Sequence, residues 1–215
     1  MCDCAWRAFN LADAHGPIAA GTILPPSRLD WAIAGTSFSS VVPSGDGDST
    51  QEIRHSRWVH WIDSRIANCD GVEDEGDMFE QSDQALTLET GRMVNPATGV
   101  ATDYEEMWRS EPIEMVPSFN GERDVTCVAL RMETVGGATK RGLVVRLGQY
   151  CQSFARDGDD ITVERLKWDG QRWTQQVRIG EQEFPTDIAT YLAHETMIDD
   201  KVGVGGAVWK VVERV

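Results

Sequence analysis

The chain has 215 residues, 41% of them hydrophobic, enough for one large all-β domain or two small ones with a proper core. Twenty Lys and Arg against thirty-five Asp and Glu give a formal charge of -15, which argues against nucleic acid and anionic membrane surfaces as partners. No stretch approaches the roughly 18 apolar residues of a membrane span.

In chain order, Met1 to Leu29 reads as a variable lead-in ending after Pro25-Pro26, and residues 30–215 as the β domain, with a subdivision near residues 110–122. Asp30 to Phe38 is the first clear strand, Ser44 to Gln51 an exposed Gly/Asp/Ser loop, and Arg57 to Asp63 a second strand apolar on both faces. Asp70 to Asp83 holds seven carboxylates and no Lys or Arg. Its acids miss the alternating positions of an EF-hand, so it reads as a solvated loop. Further strands follow at Ala85–Val94, Thr102–Arg109, Val125–Glu133, Gly142–Phe154, Ile161–Trp168, Arg172–Ile179 and Ala207–Val212. Gly- or Asp-containing turns separate most of them, which predicts antiparallel meanders closed into a barrel or sandwich. One short helix is expected, with Thr186 as its cap and Ile188, Tyr191, Leu192 and Glu195 on one face.

Five cysteines, an odd number without CxxC spacing, and an N-terminus lacking a secretory pattern fit a reducing cytoplasm. Cys2 and Cys4 have the chemistry for a soft metal, but two thiols near a terminus make no site, and no metal or cofactor is expected. Cys127 and Cys151 sit in apolar runs and should act as small hydrophobes.

Asp169-Gly170 suits a two-residue type I′ hairpin. That turn sets Trp168 opposite Gln171, Leu166 opposite Trp173, Glu164 opposite Gln175 and Thr162 opposite Val177. Glu164 and Gln175 then lie on an otherwise apolar face, where an unpartnered carboxylate costs several kcal/mol. Arg146, expected on the adjacent strand, is one candidate partner. The pair is either a structural bridge or the polar end of a ligand cavity.

Several segments together resemble a known family. They are Asp30 to Ser37, His60 to Arg65, Asp74 to Met78, the Glu89 to Arg109 block, Arg141 to Gln152, and Val163-Glu164-Arg165. On these the chain resembles the fungal Hri-type family, which is named for interaction with a casein kinase and is distinct from the haem-regulated kinase of similar abbreviation. The resemblance implies an all-β, antiparallel, calycin- or lipocalin-like β-barrel, either one barrel or two irregular barrels packed together, and no established catalytic residues. Met1 to Leu29 departs from the family pattern.

A barrel of about eight strands can hold a small apolar ligand. Eight tryptophans are available, and such residues are more often core than ligand platform. A cavity lined by Trp61, Trp108, Leu166, Trp168 and Trp173, with Gln175 as a polar group, would suit a polycyclic or terpenoid-like metabolite. Cofactor-free isomerisation or cyclisation, including pericyclic chemistry of secondary metabolism, needs a folded substrate and one or two groups where charge develops. His60 as proton shuttle, Tyr104 and Arg146 as donors and Glu164 as base or orienting group are the candidates. Each has a plainer role as a structural or surface residue. Glu105 and Glu106 are adjacent and so point to opposite faces; His55 and His194 read as surface residues, and no Gly-x-Ser-x-Gly context exists. The competing expectation is a non-enzymatic cytosolic adaptor or carrier that meets a protein partner through its acidic segment or a strand edge.

Overall fold

The structure, a computed structural model, describes residues 5–6, 10–11, 21–43, 52–94, 98–117, 127–133 and 140–215. The expected all-β architecture holds. The strands are β1 (Ala5–Trp6), β2 (Asn10–Leu11), β3 (Leu29–Trp31), β4 (Ile33–Pro43), β5 (Glu52–Asp63), β6 (Glu73–Glu80), β7 (Leu86–Val94) and β8 (Ala101–Arg109). They continue with β9 (Cys127–Met132), β10 (Arg141–Leu147), β11 (Tyr150–Asp157), β12 (Asp160–Trp168), β13 (Trp173–Ile179), β14 (Lys201–Val204) and β15 (Ala207–Arg214), and one turn of helix, α1 (Thr186–Ala189), precedes β14. Two antiparallel sheets dominate, ordered β1-β4-β5-β6-β7-β8 and β13-β12-β11-β10-β9-β15-β14; β2 pairs with β3. Neither order returns to its first strand among the described residues. Among the described residues no helix is long and apolar enough to cross a membrane.

The chain divides into two compact units, residues 1–35, 61–70 and 113–215 in the first and residues 36–60 and 71–112 in the second. In the first unit the seven-stranded sheet is covered on both faces, the condition that a near-continuous apolar strand signals. Leu143 and Val145 join Phe154, Val163 and Ile179 in one cluster with Ala32, Ala34 and Ile62. Val144 turns the other way, joining Leu130, Cys151, Phe184, Ala189 and Trp209. Residues 1–4, 7–9 and 12–20 of the lead-in lie outside the described residues, Cys2 and Cys4 among them, as does the Ser44–Gln51 loop. The described part of the lead-in is used. Leu24 enters the first cluster, and its N–H donates to the Arg178 carbonyl at 2.8 Å.

Four local expectations need correction. Gly142 to Phe154 is two strands, because Gly148 takes φ 53°, a left-handed value that lets the chain reverse. The reversal inserts β11 between β10 and β12, so Arg146 is two strands from Glu164. The Asp169-Gly170 hairpin forms with a different register. Asp169 Oδ1 accepts N–H groups of Gln171 and Arg172 at 2.9 Å each, drawing both into the turn, so Trp168 faces Trp173. A bulge between Arg165 and Leu166 then sets Glu164 opposite Arg178 and Leu166 opposite Gln175.

The helix stops at Ala189, where the Thr190 hydroxyl bonds back to the Thr186 carbonyl at 2.7 Å; Thr186 starts it without a side-chain cap. Finally, most of the acidic Asp70–Asp83 segment is strand β6. Its acids at Glu73, Glu75 and Asp77 alternate with Asp74, Gly76 and Met78, so the period-2 pattern puts the three on one face.

Candidate functional site

Two groups of polar residues stand out, one in each unit. In the first unit Glu164 is 9% exposed and meets Arg178 Nη1 at 3.2 Å. The guanidinium of Arg178 also donates to the carbonyls of Gly180 and Gln182, and lies 5.2 Å from the Phe184 ring centroid. Burial pushes the Glu164 carboxyl above its ordinary range, with Arg178 pulling the other way. Arg146, on the same face, donates to the carbonyls of Gly148, Ala189 and Thr190 at 3.2–3.3 Å and sits 5.4 Å from the Trp173 centroid. Trp168 meets Trp173 edge-on at 5.9 Å, Leu166 and Trp173 pack against the second cluster, and Gln175 donates to the Thr22 carbonyl.

The guanidiniums thus close turns and cap α1. Arg146, Arg156 and Arg178 each donate from Nε to the carbonyl of a glycine two residues on, Gly148, Gly158 and Gly180, all with positive φ. This Arg-x-Gly device was readable in the sequence as a threefold spacing and was missed. Burial also drives the Cys151 thiol far above its usual value.

In the second unit the informative residue is Glu89, which the sequence reading passed over. It is fully buried (0% exposed), yet its oxygens accept from two ring donors, Oε1 from the Tyr104 hydroxyl and Oε2 from Trp108 Nε1, both at 2.8 Å. Backbone register explains the room for it. Gly76, Gly91 and Tyr104 stand opposite one another across β6, β7 and β8. A Cβ at Gly91 would come within 2.5 Å of the Tyr104 ring, and one at Gly76 within 3.0 Å of Glu89. An aromatic ring over a cross-strand glycine is a known way to cover bare backbone. It gives no reason for a buried carboxylate.

Strand alternation places Ser56, Trp58 and His60 of β5, Met78 of β6, Glu89 of β7, and Tyr104, Glu106 and Trp108 of β8 on this same face. Trp58, Met78, Tyr104 and Trp108 are half-buried, and His60 is buried.

The opposite face carries a cross-strand row of His55, Asp77, Thr90 and Glu105, beside Glu75, Arg92 and Asp103. His55 Nδ1 lies 2.8 Å from Asp77, and Arg92 pairs with Asp103 at 2.7 Å. These residues, with Gly76, Gly91 and Tyr104, line a cavity of about 710 Å³ that holds no tryptophan.

The family model for Protein HRI1 matches residues 9–213. The chain belongs to that family. It is also similar to the crystal structure of an uncharacterized protein, YLR301w, from Saccharomyces cerevisiae, at 18% identity and a TM-score of 0.59, over 87% of this chain and 80% of that one. At that identity the likeness is one of fold. No curated protein matches closely enough to count as a relative.

The family segments acquire physical reasons here. Asp63 is 1% exposed, and its Oδ1 accepts from Trp31 Nε1 and the N–H groups of Arg65 and Ile66. Arg65 stacks on Trp31 at 4.7 Å and pairs with Asp30 at 3.0 Å. The Asp30-Trp31 pair and the Trp61-Ile62-Asp63-Ser64-Arg65 part of the second segment are therefore one knot of the first unit, while the Glu89–Arg109 block builds the Glu89 cluster.

Of the sequence-selected residues, Arg146, Glu164, Leu166, Trp168, Trp173 and Gln175 share a region of the first unit. Trp61 belongs to that unit's other cluster, with Arg131 3.9 Å over its ring. His60, Tyr104 and Trp108 share a face of the second unit.

Proposed function

We propose that the protein binds a small hydrophobic metabolite, polycyclic or terpenoid-like in shape, against the Tyr104–Glu89–Trp108 face of the second unit. There it catalyses a cofactor-free isomerisation or cyclisation, acting in the cytoplasm in a pathway of secondary metabolism. The observation that carries this reading is the buried Glu89 carboxylate held by two ring donors on half-buried side chains. Burying a carboxylate opposes folding, and a site for chemistry gives that cost a purpose. Trp58, Met78 and Trp108 supply flat or adaptable apolar surface against which an apolar skeleton can fold, lowering the entropic part of a cyclisation barrier. Tyr104, fixed by Glu89, presents a hydrogen-bonding oxygen where charge develops. Buried His60, on the same face, is the second proton-carrying group.

The test is native mass spectrometry of the purified protein with tryptophan fluorescence titration against a panel of polycyclic and terpenoid metabolites. Saturable quenching that weakens about tenfold in Trp108→Phe, roughly 1.4 kcal/mol, is expected. No bound mass and no quenching across the panel would sink the reading.

A second reading, the non-enzymatic adaptor, has its own support in the acidic cavity on the opposite face, where Glu75, Asp77, Asp103 and Glu105 converge. Under it, Glu75→Lys with Glu105→Lys abolishes capture of a protein partner and leaves metabolite titrations unchanged. Capture unaffected by both changes would exclude that face.

A further inference from the structure

Among the described residues the six-stranded sheet ends on β8, a strand of 9 residues paired to β7 without a register shift. The other sheet ends are short or covered, as folded proteins arrange to prevent edge pairing. β1 has 2 residues and β14 has 4, while β13 is bridged by Leu24, whose N–H donates to the Arg178 carbonyl. We infer that the β8 edge pairs with the β8 edge of a second copy of this chain, antiparallel about a twofold axis at Met107. The backbone is set for it. Ser110 N–H donates to the Ala85 carbonyl, and alternate cross-strand pairs down the ladder repeat that bonded geometry. Thr102, Tyr104, Glu106 and Trp108 therefore turn their backbone groups to β7, and Asp103, Glu105, Met107 and Arg109 turn theirs outward.

Side-chain chemistry selects the partner. Phe79, Leu88 and Met107 stand opposite one another across β6, β7 and β8, an apolar row that stops at the edge with Met107 55% exposed. Glu105 and Arg109, two residues to either side of Met107, are exposed, and neither forms an ion pair among the described residues. A twofold axis at Met107 sets the two methionines together, so the apolar row runs on into that of the second copy. It also sets Glu105 against Arg109 in both directions. Like charges at these positions would turn a second copy away, whereas opposite charges at equal distance from the axis attract it. Beyond residues 105–109 the match ends, since Asp103 would face Glu111. The contact is thus smaller than a standard stable interface, and the dimer is a weak one that forms as concentration rises.

The test is sedimentation velocity of the full chain over a concentration series, with amide hydrogen exchange at its two ends. A monomer–dimer equilibrium is expected. Glu105→Arg and Arg109→Glu each put like charges at both symmetric pairs and should weaken it about tenfold, while the double variant returns it to within about twofold of the parent. A change in net charge cannot imitate this, because one substitution lowers the acid excess and the other raises it. Met107→Lys, which places two cations at the axis, should abolish the dimer. All three side chains are exposed, and an unchanged Tm shows that each variant folds. Exchange at Glu105, Met107 and Arg109 should slow as concentration rises, and at Glu106 and Trp108, already bonded to β7, it should not.

A monomer at every concentration overturns the inference and leaves the edge to a different chain or to none. A dimer indifferent to the single charge changes, or one that the double variant fails to restore, overturns it as well. The metabolite and adaptor readings rest on other observations and are judged by their own tests.

Discussion

Arg178→Met keeps most of the side-chain stem but removes the cation opposite Glu164, and with it the donors to the Gly180 and Gln182 carbonyls. The parent pair stands 3.2 Å apart, with side-chain exposures of 12% on both sides, and removing one partner of such a pair costs about 3–5 kcal/mol. For a chain of this size that corresponds to a fall in Tm of roughly 6–20 °C, at about 2–4 °C per kcal/mol. The pH dependence has a definite sign. Burial already lifts the folded-state pKa of Glu164 above its ordinary 4.5. The folded state then holds the proton more tightly than the unfolded chain. The ionisation penalty is absent below the ordinary value and grows as pH rises through the folded one. Losing Arg178 lifts the folded value further, so the variant's deficit should widen from pH 4.5 to pH 7.5. Urea unfolding at both pH values, followed by tryptophan fluorescence, measures it. A deficit below about 1 kcal/mol at the higher pH, or one that narrows as pH rises, would refute the reasoning. Glu164→Leu added to Arg178→Met should recover the part of the loss due to the unpaired carboxylate, because an apolar pair of similar volume replaces a buried ion pair at little cost, and leave the part due to the Gly180 and Gln182 carbonyls.

Gly91→Ala puts a Cβ 2.5 Å from the Tyr104 ring. It should cost about 1–3 kcal/mol by overpacking, seen as a lower Tm, and weaken any ligand titration that depends on Tyr104. Arg146→Met removes donors from the Gly148, Ala189 and Thr190 carbonyls. A loss of about 1.5–3 kcal/mol is expected, with faster amide exchange confined to the α1 segment and metabolite titrations unchanged. Loss of binding without loss of stability would return Arg146 to the ligand site.

Strand content was legible where the period-2 signal was strong, as in β7, β8 and β12, and where an apolar run met a glycine turn. The order of the strands was not. Gly148 reverses the chain inside what reads as one continuous apolar run, because Val144 and Leu143 face different clusters and both are buried. Once that hairpin is missed, Arg146 seems adjacent to Glu164 when β11 lies between them. The register error after Asp169 has a similar origin. A side-chain oxygen captured two amides and moved the first cross-strand pair, and a bulge four residues earlier moved the rest. The β6 acids misled because charge is a weak signal of loop when one face of a strand is solvated. Within the site, Tyr104 and Trp108 were visible as ring donors, while Glu89 was hidden by its neighbours. Its burial depends on Gly76 across the sheet, a relation with no local trace.

The three buried carboxyl groups among the described residues meet their burial in three ways, and the donor type separates scaffold from site. Asp63 is held by a tryptophan and two backbone amides of its own turn, donors that cannot leave without unfolding the knot. Glu164 is answered by a guanidinium whose remaining donors are tied to carbonyls and whose face lies on Phe184, so nothing there is left to turn toward a ligand. Glu89 is held by Tyr104 and Trp108, two half-buried side chains. A ring that reaches its partner from a half-exposed position can adjust by a small rotation, and its opposite edge still meets whatever occupies the face. The interactions that hold Asp63 and Glu164 have therefore been spent on the fold, and the second unit is where a substitution should change chemistry before it changes stability.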